Sequence, residues 1–297
     1  MSNMIFVISV TFMYAAPLMF AALGGVISEK AGVVNIGIEG MMTLGAFVGA
    51  AVGYYSQNPW LALLCAALAG GILSVLHALA SVKFKADQTI SGMALNMIGP
   101  GLALFLARIF FDGASQTLPV PNKLPKVISN ASGSVSFDSS SLLALLFVFL
   151  IWVFLYKTKG GLRLMAVGEH PAAADSLGIN VNATRYAAVV ASGILSGIGG
   201  ATMSLAVVSS FSQTVISGQG YIALAAVIFG RWNPVGAALA CLLFGFFQAL
   251  VVVLGGSSIQ IPSQILAMLP YVVTIIVLVL MRGQNNAPKA DGIPYEK

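Results

Sequence analysis

About nine apolar runs follow one another along this chain, near residues 5–27, 33–55, 60–82, 90–111, 141–156, 186–208, 221–230, 234–254 and 263–281. Most approach the roughly 20 residues that carry a helix across a bilayer. The run at 221–230 is too short to cross alone, so it reads as a half-helix or as the continuation of the loop before it. Only 8% of the residues are charged, against roughly 25% in an ordinary soluble domain. Lipid is the solvent that suits such a composition. The expected fold is all-α: a polytopic transmembrane helical bundle of about 8–10 membrane helices, broken or half helices included. The start, "MSNMIFVISV", has no Lys or Arg ahead of its apolar run, which favours a retained first segment over a cleaved signal peptide. Cys65 and Cys241 both lie in apolar runs and read as small buried hydrophobes, implying neither disulfide nor metal.

The net charge of +5 is explained by topology, with no nucleic acid needed. Lys83 and Lys85 follow the third run, and Lys157, Lys159, Arg163 and Arg185 bracket a long connection after the fifth. Arg282, Lys289 and Lys297 lie in the tail. Placing these inside puts the N-terminus outside and the C-terminus inside, with Lys30 and Arg231 inside as well; only Arg108, Lys123 and Lys126 remain outside. One transmembrane domain is expected over 1–285, with an external loop at 112–140, a cytoplasmic loop at 157–185 and a cytoplasmic tail at 286–297. The external loop is rich in Pro, Ser and Gly and reads as irregular. The glycosylation patterns at Asn130 and Asn182 fall on opposite sides and are taken as chance.

Small residues recur every four positions: Gly45, Gly49 and Gly53 in one run, and Ser192, Ser196, Gly200 and Ser204 in another. Such stripes let helix backbones approach closely in lipid, within one subunit or against a second. No phosphate-cradling G-x-x-x-x-G-K-[ST], zinc-binding H-E-x-x-H or G-x-S-x-G elbow is present, so nothing points to an enzyme acting alone. "LSGIGG" at 195–200 superficially resembles an ATPase signature loop but lies inside an apolar run.

The inner connection 157–185 holds a short helix signal, since Pro171 can open a helix and Gly178 can stop it. An ordinary loop helix and a docking knob for a cytoplasmic partner are both open on the residues alone. Inside the apolar runs sit Asn35, Glu39, Gln88, Asn96, Gln248 and Gln264. Buried polar groups in lipid are costly and face the bundle interior or a pathway; amides suit uncharged, hydroxyl-rich or nucleobase cargo, because each offers donors and an acceptor. Phe211, Gln213, Gln219 and Tyr221 are expected to cluster at an outer mouth. Glu39 is expected one and a half to two turns inside the inner surface, in a broken helix start, where it either braces the bend or gates the pathway. His77 reads as a satisfied core histidine.

Four stretches, "GVVNIGIEGMM" (32–42), "DQTISGMALN" (87–96), "GEHPAAADSLGINV" (168–181) and "SGQGYIALAAVIFGRWNPVGA" (217–237), resemble the membrane permeases of bacterial ABC importers for branched-chain amino acids and simple sugars. The resemblance runs through nearly the whole chain and is nearest to the nucleoside (guanosine/purine nucleoside) branch, in one of its two non-identical permease subunits. It implies that Gly168, Glu169, His170, Pro171, Ala172, Ala173, Ala174, Asp175 and Gly178 form the coupling helix that seats in a separate ATPase subunit. This chain would then carry no cofactor; ATP and Mg would bind the partner ATPase. The implied partners are that ATPase, a related second permease in a heterodimer, an extracellular substrate-binding lipoprotein, membrane lipid and a nucleoside, in the bacterial plasma membrane. Simple sugars such as ribose or galactose are the alternative cargo. An ion-coupled secondary transporter is less well matched, because Glu39 is the one intramembrane carboxylate candidate and no inverted duplicate is evident.

Overall fold

The computed structural model describes residues 2–129, 136–255 and 286–296, with isolated positions between 268 and 279. Ten helices are described: α1 Ser2–Lys30, α2 Ile38–Ser56, α3 Pro59–Ala78, α4 Gln88–Phe110, α5 Ser139–Lys157, α6 Lys159–Glu169, α7 Pro171–Ser176, α8 Val181–Thr202, α9 Gln219–Phe229 and α10 Pro234–Gly255. π-helical turns at Leu79–Lys83 and Met203–Val207 extend α3 and α8. Six helices among the described residues are long and apolar enough to cross a membrane. The architecture is an all-α polytopic bundle. Most of the run at 263–281, with Gln264, Arg282, Lys297 and Asn130, lies outside the described residues.

Several crossings begin at side-chain caps that the sequence places just before an apolar run. Asn58 accepts from the N–H groups of Trp60 and Leu61, Asp87 from Ile90, and Asn180 from Ala183. These bonds satisfy helix-start donors that lipid could not.

The core forms around α8, which packs against α1, α2 and α3. Small residues make this contact possible. A Cβ added at Gly45 would collide with Gly197, one at Gly70 with Gly193, and one at Gly200 with the Met42 carbonyl. Ser204 donates its hydroxyl to the Ala46 carbonyl at 2.8 Å. The small-residue stripes therefore pack within this subunit.

Contacts sort the loops to two ends. At one end the tail lies over the α5–α8 connection: the Ala290 N–H donates to Gly168 at 2.9 Å, and Lys85 pairs with Glu296 at 3.0 Å. This end also carries Lys30, Lys157 and Arg231, and is called the basic end below. At the opposite end, Thr117 bonds Phe211 and Val120 bonds Ser209 through their backbones, and Phe12 packs edge-on against Phe137.

Three local expectations are corrected. The segment 112–140 contains a small antiparallel hairpin, β1 Lys126–Ser129 with β2 Ser136–Asp138, in which Lys126 pairs with Asp138, Ile128 with Phe137 and Ser129 with Ser136, and Val127 falls at a break in register. The connection 157–185 is mostly helical, with α6 and α7 inside it and α8 beginning before Arg185. Ser28, Glu29 and Ala31, expected beside Lys30 at the inner surface, are buried where the tail approaches: a Cβ at Gly32 would lie 2.8 Å from the Arg185 guanidinium and 3.0 Å from the Ala290 carbonyl oxygen.

Candidate functional site

Two helices start inside the bundle instead of at its surface. The chain leaves α1 at Lys30, runs without helix through residues 33–35, and enters α2 at Ile38. It likewise enters α9 at Gln219 from irregular backbone, and α9 has 11 residues, about 16 Å of rise. Non-helical backbone at this depth needs partners from protein, and buried side chains supply them. Gln88 accepts from the Val34 N–H at 2.7 Å. His77 Nε2 contacts the Val34 carbonyl at 3.0 Å and Nδ1 contacts Ser91 Oγ at 3.0 Å; with a carbonyl at Nε2, that nitrogen carries the proton and Nδ1 accepts. Ser28 donates to the Val33 carbonyl at 2.6 Å. Asn35, fully buried, donates to Ser192 Oγ at 2.9 Å.

Asn96, on α4, joins three elements. Its carbonyl accepts from the Gly40 N–H at 2.9 Å, and its amide donates to the Ile36 carbonyl and to the Tyr221 hydroxyl, each at 3.0 Å. Glu39 reaches from α2 to the start of α9, where its two oxygens accept from the N–H groups of Gly218 at 2.6 Å and Gly220 at 2.7 Å. The far end of α9 leads to Trp232, which donates to Glu29 near the basic end. Glu39 therefore lies at the opposite end of α9 from Trp232, about 16 Å along that helix.

Asn35, Glu39, Gln88, Asn96 and Tyr221 thus form one network, to which the structure adds His77, Ser91 and Ser192. Gln219 and Gln248 sit beside it as a pair, amide to amide at 3.2 Å. The expected cluster at the outer mouth does not form. Phe211 is fully buried, its ring 5.5 Å from that of Phe47, and Gln213 is exposed near the opposite end. Spacing in sequence could not show that Ser217 and Gly218 turn the chain inward between them; Gly218 has φ +92°.

The accessible part of the network is Tyr221, 48% exposed, beside half-buried Asn96. Among the described residues no cluster of groups could hold a metal. The network offers neutral donors and acceptors at half-depth. It presents them towards a face that hydrocarbon would penalise, so water, cargo or protein must cover it.

At the basic end, α6 and α7 present a second surface. Pro171 opens α7 and Gly178, at φ +80°, ends it. Ala174 is buried with Val167 and Val181, while His170, Ala172 and Ala173 are exposed, with Asp175 half-buried. Glu169 lies half-buried in a groove with Lys30, and Gly168 packs on the Lys30 backbone where no side chain would fit. Leu177, 82% exposed, is the most prominent apolar group there; as a single apolar residue just past a short helix it gave no sequence signal. Arg185, Glu29 and Asp291 were also missed as a group. Arg185 is buried and donates to the carbonyls of Ile293 at 2.8 Å and Ala290 at 3.4 Å. Asp291 lies close by, and burial pushes its carboxyl up to about 7, with the Arg185 charge and the Gly292 backbone N–H opposing the rise. Each looks like an ordinary flanking charge until the tail is folded over it.

The family described as the permease component of the branched-chain amino acid transport system matches residues 7–281. The nucleoside ABC transporter permease protein NupC of Lactococcus lactis subsp. cremoris is 45% identical, over 96% of this chain and 94% of the relative. The guanosine ABC transporter permease protein NupQ of Bacillus subtilis is 43% identical, over 98% and 96%. A second Lactococcus protein, the nucleoside ABC transporter permease protein NupB, is 23% identical, over 95% and 82%. With its apolar helices and near full-length match, this chain belongs to the branched-chain amino acid transport system permease family, as a multi-pass membrane protein.

Proposed function

We propose that this chain is the permease subunit of an ATP-driven importer of nucleosides. The observation that carries the cargo is the 45% and 43% identity, end to end, with permeases named for nucleoside and guanosine transport. The accessible network agrees with that chemistry: Tyr221 and Asn96 are uncharged and hydrogen-bonding, as a sugar–base molecule requires. Residues 1–285 act as one permease domain, and Asn35, Glu39, Gln88, Asn96, Gln219, Tyr221 and Gln248 shape its pathway, directly or through backbone they hold.

The basic end faces the cytoplasm and the N-terminus lies outside, because nine described cations, Lys30, Lys83, Lys85, Lys157, Lys159, Arg163, Arg185, Arg231 and Lys289, gather there. ATP is hydrolysed by a separate subunit that receives α7, with Gly168 to Asp175 and Gly178 forming the contact. A related, non-identical permease completes the pathway; Lactococcus carries two such nucleoside permeases, and this chain is far more similar to one of them. A lipoprotein delivers cargo from outside.

Uptake of radiolabelled guanosine by cells lacking this chain tests the reading. Restoring the chain should restore uptake, and a hydrolysis-dead ATPase partner should abolish it. Uptake that persists with the dead ATPase would overturn the proposal.

A further inference from the structure

We propose that Glu39 is a built-in anion: it fills the anion-binding start of α9, so that the pathway beside this helix admits uncharged cargo only. The proposal rests on the reading of this chain as a cargo pathway. A helix start carries unsatisfied N–H groups and the positive end of the backbone dipole, and it draws anions. Half-helices inside transporters aim such starts at anionic groups of their cargo. α9 is a half-helix of this kind, and Gly218, the residue that caps its start, has no side chain to satisfy the first N–H groups.

The site is already occupied from within. Glu39, far away in sequence, places one oxygen 2.6 Å from the Gly218 nitrogen and the other 2.7 Å from the Gly220 nitrogen. With each oxygen accepting from a backbone N–H, the arrangement suits an ionised carboxylate. Gly220 is required for this approach, because a Cβ there would lie 2.6 Å from the Glu39 Cα. Among the described residues no lysine, arginine or histidine pairs with Glu39; the helix start is its counter-charge. A carboxylate or phosphate on arriving cargo would find these N–H groups taken and a like charge behind them. An uncharged cargo meets Tyr221 instead. The Tyr221 hydroxyl accepts from Asn96, which leaves its own proton to donate to a cargo oxygen or nitrogen.

Removing the side chain should expose the site to small anions. In the assembled importer, Glu39→Ala is expected to lose uptake roughly tenfold or more, as charge-assisted bonds to buried donors are lost. Millimolar sodium formate or acetate should raise the melting temperature of Glu39→Ala by a few degrees and restore most of its uptake. Sodium chloride at equal ionic strength should do neither, and the original protein should not respond. No response of Glu39→Ala to formate or acetate, or an equal response of the original protein, would overturn the proposal. Glu39→Gln keeps the shape, covers the case in which Glu39→Ala fails to assemble, and should also lose uptake while assembling normally; full uptake by Glu39→Gln would overturn it. The melting-temperature arm needs no cargo. If formate stabilises Glu39→Ala while the original importer takes up no nucleoside, the cargo reading falls and the anion site stands.

Discussion

Asn96 and Asp291 show how much a single residue does in this chain. Asn96 uses both ends of its amide to hold Gly40, Ile36 and Tyr221, so Asn96→Leu, similar in size, leaves a buried N–H and a carbonyl unpaired. That should cost about 2–5 kcal/mol, read as a lower melting temperature and lost uptake, whereas Tyr221→Phe removes only one hydroxyl and should leave the melting temperature within a few degrees. Asp291 makes the tail sensitive to pH. Its carboxyl is raised to about 7 in the folded protein from an ordinary value near 3.9, so its contribution to tail docking is complete below about pH 4 and is lost as pH rises through about 7. The melting temperature should fall between about pH 4 and 7, and Asp291→Asn should flatten that slope; an unchanged slope in Asp291→Asn would place the titration elsewhere.

Among elements, the packed glycines and α7 make the sharpest contrasts. Gly200 meets the Met42 backbone, whereas Gly101, on α4, has open space where a Cβ would go. Gly200→Val should destabilise the bundle by about 1–3 kcal/mol or more through overpacking. Gly101→Ala should be neutral or stabilising by up to about 1 kcal/mol, as helix propensity alone decides it; thermal unfolding in detergent reads both. In α7, Ala173 points outward and Ala174 inward. Ala173→Arg should therefore leave the melting temperature unchanged while the ATPase no longer co-purifies and uptake is lost. Retained co-purification and uptake would remove α7 from the coupling role. The boundaries of these elements were partly legible: Pro171 and Gly178 mark α7, and the brevity of 221–230 marks the half-helix. α6 was not, because "KGGLRLMAVGE" opens on two glycines and carries charge that reads as loop.

At the scale of the whole molecule, apolar run length and scarcity of charge suffice to make a membrane bundle, and the structure adds what holds its interior together. The sequence shows that Asn35, Glu39, Gln88 and Asn96 are too polar for lipid. It does not show that they meet, because the partners lie on different helices: Glu39 with Gly218, Asn96 with Tyr221, His77 with Val34. Nor does it show that residues 286–296 cover Glu29 and Arg185, since a polar tail has the composition of solvent-exposed chain whether or not it docks. The central claim is that this bundle moves nucleosides only when a separate ATPase works on it. Reconstituting the complete importer in liposomes, with the lipoprotein and labelled guanosine on one side and the ATPase on the other, tests it most directly. Guanosine should accumulate only with hydrolysable ATP; accumulation driven by an ion gradient, with this chain alone in the membrane, would contradict the account.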